Sequence, residues 1–418
     1  MSIRRNALWN LTGSAVPLVA GVAFIPFTLS RLGNEAFGVL TLIWGLIGYF
    51  TLFDLGVGRA LTVRLSQSKS SEESSQLAST LRAGMALTAA TGLLGGMLVA
   101  GLAPTLATHW LNISVPLQED AKWAFWIAAA GVLPTTLASG LRGALEGVDR
   151  FAASNVSRMV LGIWMFVLPA FAVWLHGPQL WLITVYLVLG RCLVVLGMTL
   201  QLRRLLTQGG WGFAKQDLQG LWNFGFWVTV TGIVGPLMVY GDRFFVSAAV
   251  GAEQLPLYAI PQEGLLRLLL IPMALTGALL PHLAVLGLNQ LGIAYRQSYK
   301  KVAWVMLAVC SLAAALAFPV LSVWISEDFA QQALPIVWVL CAGVWVNSLA
   351  SVPYTLLHAM GNPRLTALFH LAELALYMVA LWWLSSRYGL LGASIAWAAR
   401  VTLDWVFLHL AVRRIYGL

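Results

Sequence analysis

The chain has 418 residues, of which 59% are hydrophobic and only 10% are charged. Soluble domains carry roughly 25% charged residues, so this composition excludes a protein that covers itself with a hydrated surface. The formal net charge of +9 does not indicate nucleic-acid binding, because the basic residues lie mostly in short loops between apolar segments.

Apolar segments of about 20 residues or more follow one another along the sequence, each long enough to cross a hydrocarbon core of roughly 30 Å. They are continuous rather than alternating, which favours helices over a β-barrel. The first is too long for the core of a signal peptide, so we predict that it is a retained span. We predict about twelve spans, at 7–31, 37–63, 80–104, 122–145, 156–176, 179–202, 220–250, 254–285, 300–325, 331–358, 364–386 and 389–412.

The basic residues predict the orientation of these spans. With both termini in the cytoplasm, only Arg31, Lys122 and Arg387 lie on the outer side. Basic residues concentrate in cytoplasmic loops, so this distribution favours cytoplasmic termini and explains the net charge through topology and contact with anionic lipids. The inner loops and span ends would hold Arg4, Arg5, Arg59, Arg64, Lys69, Arg82, Arg142, Arg150, Arg158, Arg203, Arg204, Lys215, Arg296, Lys300, Lys301, Arg364, Arg413 and Arg414.

The hairpin formed by the first two spans recurs in the second half of the sequence. Its polar tip contains Gly33 and Glu35, and Gly251 and Glu253 stand 218 residues later. We expect both tips to be turns on the outer side rather than binding sites. Six spans per half give the halves the same orientation, so we predict parallel repeats. The predicted domains are two six-helix bundles, at 1–210 and 211–418.

Charged residues inside spans are the candidates for function, because each costs roughly 2.5–3.5 kcal/mol on insertion scales. Two pairs have i, i+4 spacing, which places them on one helix face: Glu263 with Arg267, and Arg400 with Asp404. These pairs would either keep the bundle in register or line a polar path.

The remaining charges within spans lack such a neighbour. Asp242 and Arg243 are adjacent and diverge by about 100°, so they need partners on other helices. Arg191 and Glu373 have no opposite charge nearby on their own spans, which favours a water-filled cavity, although each could neutralise the other across a helix interface. Asp54 has only Arg59, at the inner end of the second span.

Enzyme and metal chemistry are both disfavoured. The outer loops are too short to gather the acid–base residues that a glycosyltransferase or ligase needs. The three cysteines have no CxxC spacing, and the six histidines are scattered without a metal-binding motif. We therefore predict a transporter with no cofactor and no metal site.

Several motifs resemble those of bacterial polysaccharide-export flippases of the Wzx type. The residues concerned are R-L-G-x-E-x-F-G at Arg31–Gly38, F-D-L-G-x-G at Phe53–Gly58, Asp242-Arg243, V-G-x-E with a following Tyr at 250–258, and the Gly361-Asn362-Pro363 turn. These flippases belong to the multidrug/oligosaccharidyl-lipid/polysaccharide exporter superfamily. The resemblance covers nearly the whole chain, and its motifs are structural turns.

The resemblance implies an all-α membrane protein of about twelve spans, in which two six-helix bundles surround a central cationic cavity and work by alternating access, as in the drug exporters of this superfamily (MATE-like). The implied cargo is an oligosaccharide repeat unit on undecaprenyl diphosphate, a precursor of O-antigen, capsule or exopolysaccharide, moved across the bacterial inner membrane. A polysaccharide polymerase and a chain-length regulator would be its partners. Lipid II flippases usually carry two further spans, so a prediction of about twelve argues against that class.

Arginine suits a diphosphate because its planar fork binds the oxygens bidentately and keeps its charge. The predicted substrate-binding residues are Arg191, Arg243 and Arg267, with Arg59 near the cytoplasmic entrance. The carboxylates would balance that charge or bind a coupling proton or sodium ion: Asp54, Asp242, Glu263, Glu373 and Asp404.

Two alternatives stay open. An ion-coupled multidrug exporter of the same superfamily would favour an acidic cavity, whereas the charges within these spans are mixed. A membrane-embedded glycan ligase or scaffold belongs to a different functional class.

Overall fold

Helices make up nearly all of the described chain. The computed structural model describes residues 3–50, 56–67, 74–207, 212, 219, 237–238, 241–283, 288–360 and 363–417, and no strand occurs among them. The chain divides into two compact units, Met1–Gly241 and Asp242–Leu418. The residues flanking the predicted domain boundary at 210 are outside the described set, so that boundary stays a prediction.

The first unit contains eight helices in its described part. A π-helical turn at Leu106–Trp110 extends the fourth of them. The helices are α1 (Ile3–Leu32), α2 (Asn34–Phe50), α3 (Val57–Gln67), α4 (Ser74–Thr105), α5 (Val115–Ala130), α6 (Val132–Gly147), α7 (Phe151–His176) and α8 (Leu180–Leu206).

The second unit contains six helices in its described part. A 3₁₀ turn at Arg267–Leu269 separates the second from the third, in a segment that also carries Pro261 and Pro272. The helices are α9 (Asp242–Val250), α10 (Leu255–Leu266), α11 (Leu270–Leu283), α12 (Leu288–Trp324), α13 (Glu327–Ala359) and α14 (Pro363–Tyr416).

The described helices provide seven candidate membrane spans by length and apolar composition. One of them, α14, has 54 residues, far more than the roughly 20 that one crossing needs. Its backbone leaves helical geometry at Gly389, where φ is 59° and ψ is −141°. Because this break lies at the first residue of the second of the predicted spans 364–386 and 389–412, α14 supplies two arms of crossing length.

Three predicted spans differ in detail from the helices. The span predicted at 37–63 contains two helices, α2 and α3, while residues 51–55 lie outside the described chain. The span predicted at 122–145 is divided into α5 and α6 at Gly131. The span predicted at 254–285 contains α10, the 3₁₀ turn and α11. Hydropathy marks apolar length and is insensitive to such local breaks in the hydrogen-bond pattern.

The two predicted hairpin tips share one backbone geometry. Gly33 has φ +78° and Gly251 has φ +93°, both in the left-handed region that favours glycine. Each glycine directly follows the last residue of a helix and ends that helix. Gly33 N donates to Leu29 O at 2.9 Å, and Gly251 N donates to Ser247 O at 2.8 Å. The repeat at an offset of 218 residues therefore extends from sequence to local conformation.

A carboxylate at the first hairpin tip forms hydrogen bonds with the residue that precedes α5. Glu35 accepts from Ser114 N at 2.6 Å and from Ser114 Oγ at 2.7 Å, next to the start of α5. Asp120 similarly accepts from Leu180 N at 2.8 Å and Trp181 N at 2.9 Å, at the start of α8. Carboxylates at helix N-termini satisfy unpaired N–H groups, so these acids have a structural role.

Close packing of α3 against α6 forms the core of the first unit. A Cβ added to Gly143 would lie 1.9 Å from Gly58 O, so only hydrogen fits there. Thr62 Oγ1 also donates to Gly143 O at 3.0 Å. The buried residues around this contact include Val57, Leu61, Leu65, Leu81, Leu141, Leu145 and Met198.

Candidate functional site

The second unit contains a buried polar network that begins at Asp242, the first residue of α9. Asp242 is fully buried, and its Oδ2 accepts from Tyr258 Oη and Gln262 Nε2, both at 2.7 Å. Its Oδ1 has no hydrogen-bond partner among the described residues. The expectation that Asp242 finds partners on another helix is met, because both donors lie on α10.

Arg243, the next residue of α9, also contacts α10, but at a different residue of that helix. Its Nη2 lies 2.8 Å from Glu263 Oε2, and Arg267 contacts the other oxygen, Glu263 Oε1. The side chain of Arg243 is 3% exposed, whereas that of Arg267 is 40% exposed. One carboxylate thus stands between two guanidinium groups, and of these two that of Arg267 is the accessible one.

A second group of charges lies between the two arms of α14. Glu373 is fully buried, and its Oε2 lies 4.0 Å from Arg400 Nε. Asp404 Oδ1 lies 3.6 Å from His370 Nε2. The i, i+4 spacing suggested that Arg400 pairs with Asp404, but each finds its partner on the other arm. The Gly389 break allows this arrangement because it brings the two arms together.

Tyr377 lies between the two groups of charges. Its Oη is 3.5 Å from Asp242 Oδ2, and the Arg400 guanidinium lies 5.9 Å from the centre of its ring. The cation–π contact and the long hydrogen-bond contact connect Asp242 to Arg400 through one side chain. The buried polar groups of α9, α10 and α14 therefore form one continuous network.

The group His370, Glu373 and Asp404 has the donor set of a cation site. One ligand atom from each residue lies within 4.8 Å of the others. Both Glu373 oxygens lack a hydrogen-bond partner among the described residues. Buried carboxylates that have only distant ion-pair contacts and no hydrogen bond are costly, so a bound proton or small cation would stabilise them. Sequence spacing had favoured no metal site, and that prediction stays untested.

The candidate residues of the first unit are arranged differently. Arg191 is buried on α8 and donates from Nη1 to Leu187 O at 3.0 Å, a contact within its own helix. Among the described residues it has no carboxylate at ion-pair distance. Arg59 is exposed near the start of α3. Asp54 falls outside the described residues.

Four uncharged or weakly charged members of the network are not among the predicted site residues, which were chosen for their formal charge, although one of them, Tyr258, stands in a family motif. Tyr258 and Gln262 have i, i+4 spacing on α10, and Gln262 Nε2 donates to Tyr258 Oη at 2.8 Å. His370 and Tyr377 flank Glu373 on α14. A search for polar and aromatic residues at helical spacing from each charge would have found His370 and Tyr377, which lie three and four residues from Glu373, but not the pair on α10.

Comparison with known proteins gives consistent matches. The family described as "Polysaccharide biosynthesis protein" matches residues 3–286. A Shigella flexneri protein described as "Putative O-antigen transporter" is 30% identical over 412 residues, which cover 98% of this chain and 97% of that protein.

Solved structures of two transporters have the same fold. An inward-facing multidrug transporter of the MATE family has a TM-score of 0.78 at 13% identity and covers 100% of this chain and 95% of its own. The lipid II flippase MurJ, in an inward closed conformation, has a TM-score of 0.80 at 14% identity and covers 97% of this chain and 87% of its own. The predicted all-α, MATE-like membrane fold is confirmed.

Proposed function

The chain belongs to the polysaccharide biosynthesis protein family, a family of membrane transporters within the exporter superfamily named above, and we propose that it is a flippase for an undecaprenyl-diphosphate-linked oligosaccharide. It would move the repeat unit of an O-antigen, capsule or exopolysaccharide across the bacterial inner membrane by alternating access, with both termini in the cytoplasm. Like its relatives, it is a transporter and not an enzyme.

The observation that carries this proposal is the Arg243–Glu263–Arg267 cluster. Two guanidinium groups share one carboxylate, and the Arg267 side chain remains 40% exposed within an apolar segment. Such a cation is costly in a membrane helix unless it faces water or an anion. A diphosphate supplies several oxygens for the planar guanidinium fork, and Glu263 holds the two arginines in place before the ligand arrives.

Export of this cargo needs a driving force, and two sources fit. An inside-negative potential favours outward movement of an anion by roughly 2.3 kcal/mol per charge per 100 mV. Alternatively, the buried group His370, Glu373 and Asp404 would carry a proton or sodium ion inward. That same group favours the second candidate function, an ion-coupled multidrug exporter, because buried carboxylates suit ion coupling.

Complementation of a flippase-null strain tests the proposal. The chain should restore surface polysaccharide, and Arg267→Ala should reduce export at least tenfold, because a hydrogen bond to a charged group contributes about 1.5–3 kcal/mol. Arg267→Lys should keep part of the activity, since it retains the charge and loses the fork. Arg387→Ala is the matched control, because Arg387 is exposed on α14 and its guanidinium lies over the Trp383 ring, away from the cluster in sequence.

Two outcomes would contradict the proposal. Failure to restore surface polysaccharide with any sugar repeat unit, while the protein accumulates in the membrane, would remove the flippase assignment. Resistance to cationic drugs in the same strains would instead favour the multidrug exporter.

A further inference from the structure

The second unit contains an apolar groove that the charged network does not use. It lies between α10 with its following 3₁₀ turn, α12 and α13, and its volume is about 390 Å³. This falls within the range of about 300–1,000 Å³ for small-molecule pockets. Its lining runs from Leu268 along Gly264 and Ala313 to Trp324, and every lining residue is apolar or glycine.

The groove exists because small residues form its floor. A Cβ added to Gly264 would meet no atom within 4 Å, so the space above this glycine is open. Ala317 is 6% exposed at the base, while Leu312 and Val320 on the rim are 60% and 53% exposed. These rim residues leave a furrow between them instead of packing across it. A flexible hydrocarbon chain is the kind of ligand that fills such a furrow.

The groove borders the charged cluster along the chain. Leu268, which lines the groove, directly follows Arg267, and Gly264, which also lines it, directly follows Glu263. A molecule with a phosphate at Arg267 would therefore have its hydrocarbon part at the edge of the groove. The chemistry that fits both features is an anionic head joined to a long apolar chain.

The depth of Arg267 distinguishes between lipids with this chemistry. The hairpin tip at 252–254 is the predicted outer boundary of this membrane segment, and α10 begins directly after it at Leu255. Twelve residues separate Leu255 from Arg267, or about 18 Å at the helical rise of 1.5 Å per residue. That distance is more than half of a hydrocarbon core of roughly 30 Å. An ordinary phospholipid keeps its phosphate at the interface, whereas the diphosphate of a lipid that the protein moves across the membrane has to pass this depth.

We infer that this groove holds the isoprenoid chain of the lipid carrier while its diphosphate is bound at Arg267. The inference rests on the proposed function, because the occupant is the tail of the proposed cargo. The lipid carrier would then be recognised at two places: the cluster binds its diphosphate, and the groove binds its hydrocarbon chain. The sugar moiety would then be the least restricted part of the ligand.

Photo-crosslinking tests the inference on the full-length protein in nanodiscs of phosphatidylethanolamine and phosphatidylglycerol. The probe is farnesyl diphosphate with a benzophenone at its hydrocarbon end, and labelled peptides are mapped by mass spectrometry. Labelling should concentrate on the part of α12 between Val309 and Trp324. Unlabelled undecaprenyl diphosphate should abolish it, whereas added phosphatidylglycerol should not.

Groove-filling variants provide the second arm. Gly264→Leu should reduce labelling at least tenfold, because leucine would occupy the open space. Gly197→Leu is the matched control, since a Cβ at Gly197 on α8 also meets no atom within 4 Å but lies in the other unit. Ala313→Leu fills the same groove from α12 and replaces Gly264→Leu in the experiment if that protein does not accumulate. If neither variant accumulates, competition on the wild-type protein decides.

Two results would overturn the inference. One is equal labelling of the same peptides by a benzophenone-bearing phosphatidylglycerol, which would make the groove an ordinary lipid-facing surface. The other is unchanged labelling of a folded groove-filled variant. If export is restored but labelling is not selective, the inference about the groove fails and the proposed function stands. Selective labelling without export in the flippase-null strain would leave the groove standing and overturn the proposed function.

Discussion

Glu263 determines how strongly the two arginines beside it can attract an anion. Its two oxygens are taken by Arg243 and Arg267, so the carboxylate cancels one of the two positive charges. Removing it would leave two like charges close together in an apolar segment, which is unfavourable. The acid is therefore best understood as a positioning group that keeps the guanidinium of Arg267 accessible.

The buried carboxylates of α14 lead to a prediction about coupling. Glu373→Gln preserves shape and removes one negative charge from the group that includes Asp404 and His370. If this group carries the coupling ion, export by the variant should no longer respond to an imposed proton or sodium gradient. The measurement is the initial rate of export in vesicles, with and without each gradient.

The outcome distinguishes coupling from structure. His109→Gln is the control, because His109 is exposed near the end of the π-helical turn, far along the chain from this group. A Glu373→Gln protein that accumulates normally and keeps the full response to the gradient would show that the group is a structural ion network.

Individual charged residues could be found from the sequence, but their pairing could not. The Glu263–Arg267 contact follows from helical spacing alone, and it is present. The partners of Arg400 depend instead on the bend at Gly389, which joins two arms whose separation no local spacing encodes. Neutral partners such as Gln262 were missed because the site residues were chosen for their formal charge.

At the scale of helices, glycine decides where the chain turns and how closely helices approach. Gly33 and Gly251 end helices with positive φ at equivalent places in the two halves. Gly143 instead allows two helices to touch, with its missing Cβ 1.9 Å from Gly58 O. Hydropathy predicted the apolar segments well, whereas breaks such as Gly131 depend on local hydrogen bonding and were missed.

The contact between α3 and α6 predicts a large effect from a small substitution. Gly143→Ala adds a methyl group where backbone atoms already meet, and overpacking of this kind costs about 1–3 kcal/mol or more. We expect a clear fall in the thermal stability of the purified protein, measured by loss of monodispersity on heating.

A second alanine provides the comparison. Gly101→Ala on α4 places the same methyl group where no atom lies within 4 Å, so stability should stay within about 0.5 kcal/mol of wild type. Equal stability of the two variants would show that α3 and α6 are not packed as described.

At the scale of the whole molecule, the two units carry different candidate chemistry. The first has Arg191, which has no ion-pair partner among the described residues and remains a proposed substrate contact, and the exposed Arg59. The second contains the connected network of α9, α10 and α14 together with the apolar groove. Composition and motifs were sufficient to predict the membrane class, the family and the fold. The network required three-dimensional contacts between helices distant in sequence.

Transport by the purified protein in vesicles is a direct test of the proposed flippase activity. The chain is reconstituted into vesicles that contain a fluorescent undecaprenyl-diphosphate oligosaccharide, and an impermeant glycosidase reports the fraction of sugar on the outer leaflet. The sugar should become fully accessible within the assay with the wild-type protein and at least tenfold more slowly with Arg267→Ala. Accessibility no faster than in protein-free vesicles would contradict the proposed activity.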